Sequence, residues 1–94
     1  MKSQRPISQE KLRTKVASFM YELTSNRETE TKFRILWSRG TPNSFDLDVS
    51  ESKHLWKVLT KDTPARRKLA ALIKENGWDC DTSELGLVIF KPGE

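Results

Sequence analysis

Ninety-four residues, 32% of them charged, suffice for one small domain with a single core and leave little bulk around a deep catalytic pocket. Seventeen Lys and Arg against thirteen Asp and Glu give a net charge of +4 and a pI near 9.4, a balance that leans toward polyanionic partners. The single cysteine, Cys80, excludes an internal disulfide and a multi-cysteine zinc site, and it suits a reducing compartment.

The opening MKSQRPISQEK has no apolar run of the kind that marks a secretory signal, and no stretch is long and apolar enough to cross a bilayer. The expected location is cytoplasmic, with no membrane partner. Residues 1–94 read as one domain, with 1–6 and 92–94 as mobile tails. Ser8 is placed to cap a helix running to about residue 25, with Ile7 and Leu12 as a hydrophobic staple. Leu12, Val16, Phe19 and Leu23 form its apolar stripe, Met20 borders that stripe, and Tyr21 points away from it.

Residues 25–32 form a polar connector. KFRILWS then alternates, with Phe33, Ile35 and Trp37 on one face and Arg34, Leu36 and Ser38 on the other. RGTPN supplies turn residues, and SFDLDV alternates again through Phe45, Leu47 and Val49. This predicts a β-hairpin with a loop over 39–43. Asp46 and Asp48 share the face of Arg34, so cross-strand ion pairing accounts for them.

Residues 50–78 organise the chain as two helices joined by a tight turn. Ser50 is the expected N-cap of the first; Thr63 caps the second, with Pro64 at its first position, and Gly77 ends it in the left-handed region. Leu55, Val58 and Leu59 fall on one side of the first helix, while Lys53, Lys57 and Lys61 recur on the other. Leu69, Leu72 and Ile73 give the second its buried stripe, Arg66, Arg67 and Lys68 crowd its first turn, and Arg67 and Lys74 share its outer face. A short extended piece at 78–81 precedes a turn at TSEL and a final strand, GLVIFKP, apolar on both faces and therefore central in a sheet or covered by a partner. The expected class is α+β, a small single domain in the order α-β-β-α-α-β. Its expected core is Leu12, Val16, Phe19, Leu23, Phe33, Ile35, Trp37, Leu55, Leu59, Leu69, Leu72, Ile73, Leu87 and Ile89.

Catalytic signals are weak. His54 is the only histidine and sits beside a buried stripe, where packing or surface roles outnumber general bases. Asp79, Cys80 and Asp81 alternate in direction on an extended segment and do not converge on one metal ion. Glu51-Ser52-Lys53 after Asp46 and Asp48 echoes the Asp…Glu-x-Lys pattern of metal-dependent nucleases, but at a helix start rather than within a strand. No Gly-rich loop follows a strand to cradle a nucleotide. The expectation is a non-catalytic protein without metal or cofactor.

Binding is better supported. Lys53, Lys57, Lys61, Arg66, Arg67 and Lys68, with Lys74 beyond them, place cations on two rigid helices beside a helix N-terminus, which is what phosphate recognition requires. The expected partner is a nucleic acid, RNA or DNA, or alternatively an acidic protein surface. Trp37, Trp56 and Trp78 support a competing protein-interaction reading through an exposed Trp or β-strand face, with a homodimer as one form.

The order of elements resembles, in topology alone, the type II KH domain. That resemblance implies RNA lying against the junction of the two central helices, where Lys61-Asp62-Thr63-Pro64 stands at the place of the family's GXXG loop. The alternative likeness is to a winged helix, with 64–76 as recognition helix and 78–91 as wing.

Overall fold

A computed structural model describes residues 6–24 and 33–92. The connector at 25–32 and most of both tails lie outside the described residues. Helix α1 spans Gln9–Thr24, strands β1 and β2 span Arg34–Leu36 and Ser44–Asp48, helices α2 and α3 span Lys53–Thr60 and Pro64–Glu75, and strands β3 and β4 span Asp79–Ser83 and Gly86–Phe90. The class is α+β, and the order α-β-β-α-α-β-β extends the expected one by a full strand at the short piece after α3.

The four strands form one antiparallel sheet in the order β1-β2-β4-β3. β4, apolar on both faces, lies between β2 and β3, so its sequence reflects a central position. A two-residue turn at Glu84-Leu85 joins β3 to β4. Gly86 just beyond it has φ +143°, and a Cβ there would stand 2.6 Å from Val49 Cγ2 and 2.8 Å from the Leu47 carbonyl, so only glycine fits. The full hairpin after α3, where a final strand and possibly a short extra strand at 78–81 were expected, departs from the KH-like order α-β-β-α-α-β.

The helices cover one face of the sheet. Leu12, Val16 and Met20 of α1, Leu55 and Leu59 of α2, and Leu69 and Ile73 of α3 are buried with Phe45, Leu47, Val49, Trp78, Leu87 and Ile89. This core differs from the expected one in ways that packing explains. The stripe of α1 runs through Leu12, Val16 and Met20, a strict i, i+4, i+8 row. Phe19 and Leu23 therefore move to its half-buried flank. Leu72, Phe33 and Ile35 are likewise half-buried at the margin. Trp37 leaves the ladder after Leu36 and is 47% exposed, so the β1–β2 connection runs over 37–43 rather than 39–43. Its ring carries the Arg13 guanidinium 3.7 Å above the centroid. Tyr21 is 65% exposed, as its place on the wheel predicts, and meets Phe33 edge-on with centroids 5.2 Å apart.

Trp78 takes the place in the core that Trp37 was expected to fill. It packs against Phe45 at a tilt of 58° with centroids 5.9 Å apart, and its indole N–H donates to the Ile7 carbonyl at 2.9 Å. α3 ends in a Schellman arrangement: Gly77, at φ +85°, donates its amide to Lys74, and the Trp78 amide reaches back to Ile73. The turn that ends α3 thus delivers Trp78 to the core and starts β3.

Candidate nucleic-acid interface

The α2–α3 unit owes its geometry to two caps. Ser52, not Ser50, caps α2: its hydroxyl accepts from the Leu55 amide at 3.2 Å, within the range of a capping bond. Ser50 lies two residues too early and is used otherwise, donating its hydroxyl to Asp48 Oδ1 at 2.7 Å while its amide donates to the same oxygen at 3.0 Å. The three-residue joint 61–63 follows, and Thr63 caps α3 by accepting from the Arg66 amide at 3.1 Å. The same Thr63 hydroxyl donates to the Val58 carbonyl near the end of α2. One side chain therefore satisfies an orphan carbonyl of the first helix and an orphan amide of the second, fixing one against the other.

Six of the seven basic residues expected at this unit line three clefts, and Lys74 lies on the outer face of α3. Lys61, Arg66 and Arg67 line a cleft of about 330 Å³ at the joint, with Thr60, Asp62, Ala70 and Thr82 completing its walls. Lys53 and Lys57 line a second cleft with Trp56, Ser50 and Glu84. Lys68 turns toward α1, beside Phe19, Glu22, Leu23 and Ala65. Both first-named clefts border the edge strand β3 or its turn, through Thr82 and Glu84, so they follow one another along the seam between the helix pair and the sheet.

Exposure also divides these residues. Lys53, Lys57, Lys61, Arg67, Lys68 and Lys74 are exposed. Arg66 is half-buried, contrary to expectation, because its position points over β3, where Nη1 lies 3.5 Å from Cys80 Sγ. Burial pushes the Cys80 thiol up from its ordinary value, with Arg66 pulling the other way. The thiol is thus a protonated packing group rather than a ready nucleophile. Arg67 is exposed but engaged: Nε and Nη2 hold the two oxygens of Asp62 at 2.9 and 3.1 Å. That bidentate pair lowers the Asp62 carboxyl and raises the Arg67 guanidinium.

The outer face of α3 is a regular stripe: Pro64, Arg67, Lys68, Ala71, Lys74 and Glu75 are its exposed residues. Arg67 and Lys74 share it, as their spacing predicts. Its only anion is Glu75, at the far end.

Among the described residues, the sheet face away from the helices is mainly acidic. Cross-strand register sets three rows on the sheet face that no helix covers among the described residues: Arg34-Asp48-Gly86-Ser83, then Leu36-Asp46-Val88-Asp81, then Ser44-Phe90-Asp79. That face carries one arginine against four aspartates on a chain of net charge +4. The arginine is committed, with Arg34 Nη2 lying 3.3 Å from Asp48 and 3.5 Å from Glu51. Asp46 stands opposite Leu36, so of the two aspartates expected to pair with Arg34 only Asp48 does. Ser50 is the main cause, ahead of Arg34, of a carboxyl at Asp48 held below the usual carboxylate range.

No family model, curated protein or solved structure matches the chain. Among the described residues, no group of three His, Cys, Asp or Glu side chains is placed to hold a metal ion, and no helix is long and apolar enough to cross a membrane.

Proposed function

We propose that this protein is a non-catalytic nucleic-acid-binding module that engages phosphates through the α2–α3 unit. The observation that carries the reading is the separation of charge among the described residues: exposed cations gather on the helix layer, and four aspartates against one arginine gather on the open sheet face. A polyanion is attracted to the first surface and repelled by the second. Lys61, Arg66 and Arg67 offer a concave cationic seat at the joint, and Lys68 and Lys74 extend it along α3. Contacts of this kind read phosphates rather than base edges, so binding is weakly sequence-specific.

The test is a salt titration of binding to generic RNA and DNA. Affinity falls steeply with salt, each engaged cation contributing about one unit of the log–log slope on duplex DNA and somewhat less on single strands. Changing Lys61, Arg67 and Lys68 together to Glu abolishes binding and leaves the melting temperature within a few degrees, because exposed charges contribute little to folding. Absence of binding at low salt overturns the proposal.

A second reading, a protein-interaction module, draws on a separate observation. Trp37, Leu36 and Tyr21 are the exposed large apolar residues, at 47%, 38% and 65%, and they border the edge strand β1 and helix α1. Such a surface suits a protein partner or a second copy of the chain. Recovery of one protein partner from lysate, undiminished by nuclease, together with no binding to nucleic acid, decides for this reading.

A further inference from the structure

The second cleft of the α2 side has a composition that phosphate binding alone does not explain. Lys53 and Lys57 stand one helical turn apart on one side of α2, and Trp56 lines the same cleft beside them, about 350 Å³ in volume. Leu55 and Leu59 supply the buried side of α2, and Trp56 is only half-buried against the core margin, leaving indole surface to the cleft. Across from the lysines, the β3–β4 turn contributes Glu84, an exposed carboxylate.

An aromatic wall beside two cations one turn apart matches one nucleotide: a base stacks on the ring while its 5′ and 3′ phosphates meet the ammonium groups. Glu84 repels phosphate, so it is useful only to the base. A carboxylate accepts a hydrogen bond from the exocyclic amine of cytosine, adenine or guanine and finds no such amine on thymine or uracil, whose exposed edge offers only the ring N–H. A base in an intact duplex is paired and stacked, and cannot enter. We propose that the Trp56 cleft holds one unpaired, amine-bearing nucleobase of a single-stranded RNA or DNA segment, with Lys53 and Lys57 on the flanking phosphates and Glu84 on the amine. This inference rests on the nucleic-acid reading and narrows it to single strands.

The experiment is a fluorescence-anisotropy titration, at fixed low salt, of the full chain with labelled oligo(dC), oligo(dT), oligo(rC) and a duplex of equal length. Trp56→Ala weakens oligo(dC) binding about 5- to 100-fold, the span that loss of one stacked base produces, and changes duplex binding less than twofold. Trp56→Phe retains most of the single-strand affinity, which separates stacking from a folding defect. Glu84→Ala brings the oligo(dC) to oligo(dT) affinity ratio to about one. In a Trp37→Phe background, oligo(dC) quenches the emission of Trp56, since Trp78 is buried. Comparison of oligo(rC) with oligo(dC) assigns the source as RNA or DNA. Equal losses on duplex and single strand with Trp56→Ala, or no loss on either, overturn the inference while leaving the phosphate-binding reading intact. Failure of every oligonucleotide to bind the unaltered chain overturns both.

Discussion

The Thr63 hydroxyl donates to the Val58 carbonyl of α2 while accepting from the Arg66 amide of α3, so a single oxygen joins two helices. A Thr63→Val chain keeps the shape of the side chain and loses both bonds. It is expected to lose about 1–2 kcal/mol of stability, the range for loss of a helix cap. Thr63→Ser restores most of that. Because the joint cleft depends on the same lock, Thr63→Val also weakens nucleic-acid binding more than its stability loss accounts for, measurable by comparing affinity well below the melting transition.

Asp62 acts against binding in the proposed mechanism. Its carboxylate takes the Nε and Nη2 edge of Arg67 and offsets its charge, so a phosphate competes with it for that guanidinium. Asp62→Asn removes the charge and frees the fork, and it is expected to tighten binding to generic nucleic acid about threefold to tenfold and to steepen the salt slope by nearly one unit. The fold changes little in stability, since both side chains are largely exposed. An Asp62→Asn protein that binds more weakly, measured by salt titration, counts against the joint as the contact surface.

Asp48 makes the fold sensitive to acid. Its carboxyl is 5% exposed and accepts from the Ser50 amide and hydroxyl, with Arg34 at 3.3 Å, and these bonds hold its folded value below the unfolded one. A group with a depressed folded value binds fewer protons folded than unfolded, so its contribution is full above about pH 4 and is lost as pH falls through the folded value. Asp48→Asn therefore lowers stability at neutral pH and flattens the acid limb of a stability profile from chemical denaturation below about pH 4. An acid limb unchanged by the substitution would assign it to other carboxylates.

The helix pair was the most legible part of the chain, because caps and stops are local chemistry. Thr63, Pro64 and Gly77 do what their residue types predict. Ser50 and Ser52 show the limit of that logic: both precede the same helix, and only the demand of Asp48 for donors decides which one caps. The central place of β4 was readable from its two apolar faces. The exchange of Trp37 for Trp78 was not. Both follow alternating patterns, and the choice depends on where α3 ends relative to the sheet, which is tertiary information. At the site, the cations were legible as a group, but not their partition into clefts or the engagement of Arg66 with Cys80 and Arg67 with Asp62. The acidic face was hidden because its aspartates come from β2 and β3, which register alone brings side by side across β4.

Among the described residues, the aspartates of the open sheet and the lysines of the helices set up an electric dipole across the two layers. Near a long polyanion such a body rotates before it touches, turning its sheet outward within roughly one Debye length, about 10 Å at 0.1 M salt. Fewer collisions are then wasted on the wrong side. Neutralising Asp46, Asp79 and Asp81 to Asn would raise the overall positive charge while weakening that alignment, so total attraction and productive encounter rate need not change in proportion.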